Sequence, residues 1–184
     1  MQSLFGVHWQ SSPPADIMPS SALYAWLVDP ASLTEKVRSI CHQDFSVEVI
    51  YHQNHPAPEC ALSELSIAPG TALLHREVLL CDGQTPLVFA SSVLPVPALT
   101  GRFADIQNLG TRPLGHWLFA EPVLKRSSMR YVRLASSAAL FARLKHLHLE
   151  NASLPGRKTL FTGADYPFLV SEFFLPTLAL RLED

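Results

Sequence analysis

Apolar and polar positions along the chain change period several times, and each change marks an element. Ser32 and Glu35 form an S-x-x-E capping box, and Leu33, Val37, Ile40 and Cys41 follow at i, i+4, i+7 and i+8, so a helix is predicted from residue 33. A shorter helix is predicted over Ser21–Val28, around Leu23, Trp26 and Leu27. From Phe45 the period drops to two, with Val47, Val49 and Tyr51 alternating with Ser46 and Glu48, the pattern of a half-buried strand. His52–Pro69, with Pro56, Pro58 and Pro69, reads as a loop. Thr71–Cys81 and Leu87–Leu94 are β-type runs separated by Asp82-Gly83-Gln84-Thr85-Pro86, which suits an antiparallel hairpin with a slightly long turn. Downstream, the pattern predicts a short helix over Thr111–Phe119 with Pro113 in its first turn and a strand over Ser128–Leu134. Helical spacing follows over Ala135–Leu149 through Ala138, Phe141, Leu144 and His148, then a loop over Asn151–Gly156 and a last strand over Phe168–Leu175. Residues 1–20 read as an irregular arm, and residues 21–184 as one α+β domain with a mainly antiparallel sheet and helices at its margins.

Composition narrows the class. Of 184 residues, 48% are hydrophobic and 16% charged, so the chain can build a core and is not disordered. Lys plus Arg is 14 and Asp plus Glu is 16, so no basic footprint for nucleic acid is present. Fifteen prolines against eight glycines predict short elements joined by stiff loops. The apolar stretch Leu87–Gly101 is too short to span a bilayer and holds Pro95 and Pro97, while Phe168–Leu180 holds Glu172 and Pro176; no membrane span is expected. No Lys or Arg precedes Lys36, so the positive leader of an export signal is not expected either. Cys41, Cys60 and Cys81 leave one thiol over in any single-chain disulfide scheme, and three free thiols in a reducing cytoplasm is the simpler reading.

Most familiar chemistry is absent. No two glycines stand two apart, which removes the dinucleotide fingerprint; Gly110 and Gly115 have P-loop separation, but His116-Trp117 follow where a phosphate lysine is needed. The G-x-S-x-G elbow is missing. His52-x-x-His55 and His146-x-His148 lack a C-x-x-C or H-E-x-x-H frame, so no metal is expected. Cys81, in an apolar strand, reads as a buried inert thiol. Two charges stand out. An unbroken pleat puts Arg76 on one face with Leu74, Val78 and Leu80, and Glu172 with Phe168, Val170 and Phe174. Burying either is costly without a partner. Either the two pair with each other or with loop groups, or they face a closed cavity and hold a polar ligand.

These residues sit inside segments that resemble the chorismate pyruvate-lyase family. The resembling stretches are Trp26-Leu27 through Ser32-Leu33-Thr34, Arg76-Glu77-Val78-Leu79-Leu80-Cys81-Asp82-Gly83, Val93-Leu94-Pro95, and Leu109-Gly110-Thr111-Arg112-Pro113-Leu114-Gly115-His116-Trp117-Leu118-Phe119. Gly156-Arg157-Lys158-Thr159 and Leu169-Val170-Ser171-Glu172-Phe173-Phe174-Leu175-Pro176 complete the set, in order, over about residues 24–178. The resemblance implies a chorismate lyase-like fold with an enclosed ligand cavity. It also implies conversion of chorismate to 4-hydroxybenzoate and pyruvate, the first committed step towards ubiquinone. No cofactor, no nucleic acid and no metal is implied, and a monomer working in the cytoplasm is expected. By position in these blocks, Arg76, Glu172 and the backbone amides of Leu33 and Leu114 would hold the aromatic product; Leu33 stands where the family carries methionine. Arg76 would take the ring carboxylate and Glu172 the ring hydroxyl. Arg157 is the candidate for the enolpyruvyl carboxylate, with a salt bridge as its alternative duty. Ala135–Pro155 is longer than the family pattern, so an insertion is expected at about 135–155. The competing class is a non-catalytic sensor, because effector domains of some bacterial regulators share this fold. Such regulators carry a basic DNA-binding module ahead of the sensor, and little chain with no Lys or Arg precedes the resemblance here, which favours the enzyme.

Overall fold

The computed structural model describes residues 7–135, 141, 144–149, 152–163 and 165–183. Among the described residues, seven strands form one antiparallel sheet: β1 (Phe45–Pro56), β2 (Ala72–Asp82), β3 (Thr85–Pro95), β4 (Lys125–Arg126), β5 (Arg130–Leu134), β6 (Leu154–Thr162) and β7 (Phe168–Phe174). Their order is β1-β2-β3-β7-β6-β4, with β5 pairing the other end of β6 beside β4. The α+β class and antiparallel sheet expected from the sequence are both present.

Each face of the sheet carries its own cover. On one face, α1 (Ala22–Val28), α2 (Leu33–Ile40) and α5 (Pro176–Arg181) bury Trp26, Leu27, Leu33, Val37 and Leu178 against Val78, Leu80, Val88 and Phe174. α4 (Leu114–Ala120) continues that cover. On the other face, α3 (Glu59–Leu65) places Ala61 and Leu65 on Leu73, Val93 and Leu169, and Trp9 packs with Leu79, Phe89 and Phe173. Residues 7–20 form no helix, yet Trp9 and Ile17 are buried and Gln10 bridges Tyr131. At an aliphatic side chain's ~1.5–3 kcal/mol each, such anchors explain why an irregular segment stays seated.

Several sequence expectations are corrected. The stretch read as a loop over His52–Pro69 holds the second half of β1 and the helix α3. β1 is an edge strand, so Pro56 at its end costs no ladder hydrogen bond, and Pro58 sits at the helix N-cap rather than inside it. The alternation in β1 also weakens: Val47 is buried but Val49 is exposed, and beyond it the register with β2 slips between Val49 and Tyr51. Asn151 lies outside the described residues, but Leu154–Gly156, read as loop, opens β6. Of the helical reading over Ala135–Leu149, Ala138 lies outside the described residues, and Lys145–Leu147 is a short 3-10 turn. Pro113 precedes α4 as its N-cap instead of sitting in its first turn.

The hairpin turn is tighter than expected. Asp82 pairs directly with Thr85, so Gly83 and Gln84 alone make the turn, and Gly83 takes φ +57°, a left-handed conformation that side chains resist. A Cβ at Gly83 would also run into the Gln43 side chain. Gly83→Ala is expected to cost about 1–3 kcal/mol, read as a fall of roughly 2–10 °C in melting temperature. An unchanged melt would mean the turn relaxes freely.

Candidate active site

The sheet face under α2 and α4 is not fully filled. A small cavity remains, walled below by Arg76, Val78 and Leu80 of β2, Ala90 and Ser92 of β3, Val170 and Glu172 of β7, and Thr159 and Phe161 of β6. Thr34, Leu114, Gly115 and Leu118 close it from the helices, and Arg126 and Phe119 close its far end. The lining is largely apolar with a few charged groups, the usual make-up of a small-molecule site.

Antiparallel register brings the charges together. Arg76 pairs with Ser92, which pairs with Val170; one step along, Ala90 pairs with Glu172, which pairs with Arg157. Side chains in one such row point to the same face. Arg76 is 2% exposed. Its Nη2 donates to the carbonyls of Gly110 at 2.8 Å and Arg112 at 3.2 Å, and its Nη1 lies 3.4 Å from Nδ1 of His52. The guanidinium therefore braces the loop that leads into α4. Those contacts use three of its five N–H donors and leave two for a ligand. Burial pushes its pKa below the ordinary arginine value, yet a guanidinium stays charged, so the cavity stores a cation short of counter-charge.

Glu172 does not pair with Arg76. Its Oε2 accepts from Nε of Arg157 at 2.6 Å, which leaves Oε1 as the acceptor the carboxylate can offer to the cavity. Of the two arrangements the sequence left open, each charge has its own structural partner and both also face one enclosed space.

Arg157 itself is 1% exposed and does not line the cavity. Besides Glu172, it donates from Nη1 to the carbonyls of Trp26 at 3.0 Å, Leu27 at 3.3 Å and Asp29 at 2.6 Å. It thus satisfies the carbonyls at the end of α1, where a cation is favoured. Its salt-bridge duty is observed: Nε and Nη1 carry these contacts.

The two leucines differ. Leu114 begins α4 and lines the cavity. Leu33 begins α2, but its side chain is in the apolar core, and its neighbour Thr34 is the lining residue. Only the main chain of Leu33 can serve the site. α2 and α4 approach closely at Gly115, where an added Cβ would lie 2.7 Å from Oγ1 of Thr34. Glycine here lets two helix starts share one wall.

Sequence reasoning passed over Arg126, Thr159 and Phe161. Arg126 belongs to a two-residue strand, too short for any period to show. Thr159 and Phe161 alternate with Lys158 and Leu160 in β6, a signal that was there to read. Among the described residues, no group of three or more His, Cys, Asp or Glu could hold a metal ion. Cys41, Cys60 and Cys81 are unbridged, and burial pushes the Cys81 thiol up to about 11.

Comparison with known proteins places the chain in a family. The sequence profile of the family described as chorismate lyase matches residues 4–182. A relative from Nitrosospira multiformis is 33% identical, covering 90% of this chain and 91% of its own; one from Aromatoleum aromaticum is 40% identical, covering 92% of each. A third, from Pseudoalteromonas translucida, is 38% identical over 85% and 86%. Each is named a probable chorismate pyruvate-lyase. Among solved structures, a GntR-family transcriptional regulator from Bacillus cereus superposes with a TM-score of 0.56 at 14% identity, over 73% of this chain and 94% of that one. The C-terminal domain of a histidine utilization repressor from Pseudomonas syringae gives 0.52 at 11%, over 73% and 93%. The fold is thus one that lyases and regulator domains share. Within it, this chain belongs to the chorismate lyase family.

Proposed function

We propose that this chain is a chorismate pyruvate-lyase, releasing 4-hydroxybenzoate and pyruvate from chorismate in the cytoplasm, where its three unbridged thiols would stay reduced. One observation carries the reading at the level of the site. Arg76 and Glu172 lie on the wall of one cavity, are not spent on each other, and keep a spare donor and a spare acceptor for a small aromatic acid.

The chemistry follows from the substrate. Chorismate has a carboxylate on C1, a hydroxyl on C4 opposite it, and an enolpyruvyl ether on C3. The C3–O bond breaks, the hydrogen on C4 moves to the enol methylene, and the side chain leaves as pyruvate with its new methyl and carbonyl. The ring becomes aromatic, so the step runs downhill and exchanges no electrons with a cofactor. What the protein supplies is position and a fixed electrostatic frame. Arg76 takes the ring carboxylate, with the Leu114 and Leu33 main-chain amides sharing the anionic load. Glu172, held by Arg157, accepts from the C4 hydroxyl. Val78, Leu80, Val170 and Phe161 exclude water around the ring.

The direct test is to incubate pure protein with chorismate and follow 4-hydroxybenzoate by absorbance; absence of product would end the proposal. Glu172→Gln keeps an acceptor oxygen, whereas Glu172→Ala removes it. The glutamine variant is expected to bind 4-hydroxybenzoate about tenfold more tightly than the alanine variant, as befits one hydrogen bond of about 1.5 kcal/mol. Equal losses in titration calorimetry would remove the hydrogen-bonding role of Glu172.

A further inference from the structure

We infer that Arg126 is the residue that holds the enolpyruvyl carboxylate of the substrate, a second anion site in the same cavity. The inference rests on the lyase reading above. Chorismate is a dianion, and one carboxylate is matched by Arg76. Arg157 is the sequence candidate for the other, but its Nε donates to Glu172 and its Nη1 to the end of α1. Lys158 points to the opposite face, where it pairs with Glu64 and lies over Trp9. Among the described lining residues, Arg126 is the cation that remains.

Its surroundings are those of a site waiting for an anion. Arg126 lies 4.8 Å from the ring centre of Phe119 and 5.4 Å from that of Phe161. The rings fix the guanidinium; burial disfavours its charge, and the nearby Glu172 carboxylate favours it without a hydrogen bond to it. Nη2 makes a long 3.4 Å contact to Oγ1 of Thr159, and Nη1 is buried with no hydrogen-bond partner. A buried, unpartnered guanidinium nitrogen is costly, and a carboxylate meets both its charge and its fork of donors.

The order of charges across the sheet also fits. Arg76 is on β2, Glu172 on β7 and Arg126 on β4, so the carboxylate of Glu172 stands between the two guanidiniums along the sheet. In chorismate the ring carboxylate is at one end, the hydroxyl at the other, and the enolpyruvyl branch leaves from the carbon beside the hydroxyl. With the ring carboxylate on Arg76 and the hydroxyl on Glu172, the branch leaves sideways from the hydroxyl end of the ring, the end nearer to β4 than Arg76 is. A cation there would hold the side chain in the conformer that brings its methylene to the C4 hydrogen.

The product lacks that branch, and this gives the test. In the whole protein, Arg126→Met, which keeps bulk against the two rings, is expected to lower kcat/KM for chorismate about 100-fold while 4-hydroxybenzoate binds within threefold of wild type. Arg126→Lys is expected to recover part of the loss. Wild-type kcat/KM in the methionine variant, or an equal loss of product affinity, would overturn the inference. So would failure of both variants to fold, because Arg126 would then be a structural brace. If wild-type protein itself makes no 4-hydroxybenzoate, the lyase reading fails first.

Discussion

Arg76→Ala is expected to lower kcat/KM for chorismate by about 10²- to 10⁴-fold, the equivalent of roughly 3–5 kcal/mol for leaving a buried charge unpartnered. Affinity for 4-hydroxybenzoate should fall with it, since substrate and product share the ring carboxylate. This sets Arg76 apart from Arg126, whose loss spares the product. The expected cause has two parts: the anion loses its fork of donors, and the carbonyls of Gly110 and Arg112 lose their brace. Arg76→Lys separates them, because a lysine restores charge but cannot grip a loop and a carboxylate together. Kinetics and calorimetry on all three proteins, with circular dichroism melts as the fold control, would decide it. An alanine variant that is soluble, folded and fully active would refute the site.

The largest effect on stability is expected at Arg157. Arg157→Met removes the donor to three backbone carbonyls and leaves Glu172 without its partner. A loss of about 3–5 kcal/mol is expected, seen as a drop of roughly 6–20 °C in melting temperature for a chain of this size. Adding Glu172→Gln to Arg157→Met should recover part of the drop, because the second change removes the stranded charge. A single variant melting within about 2 °C of wild type would show that the ties carry little. Arg157 also sets where the Glu172 carboxylate stands.

Much of this site could be read from the chain, and the reason is local. A period-two strand assigns its own faces, so Arg76 and Glu172 announced themselves as charges among apolar neighbours before any pairing was known. The capping box at Ser32 and Glu35 marked the start of α2 in the same way, and the Ser32 side chain does accept from the Glu35 N–H. What the chain could not disclose was partnership across long separations. That Glu172 would meet Arg157 depends on β6–β7 register, and that Arg157 would reach α1 depends on a contact between residues about 130 apart. Arg126 was illegible for a different reason: two residues of strand hold no pattern, and its place at the cavity depends on the β4–β6 pairing. Prolines misled in one place, where an edge strand and a helix N-terminus accommodate them as readily as a loop does.

The hold of Arg76 on the segment before α4 has a bearing on turnover. Because Arg76 ties that segment through the carbonyls of Gly110 and Arg112, recognition is expected to draw on rigidity acquired when the chain folds. The same stiffness offers nothing to relax once the ether has broken. On the proposed reading 4-hydroxybenzoate would keep the anchor by which its parent is seized, and departure, more than bond cleavage, is the step expected to be slow.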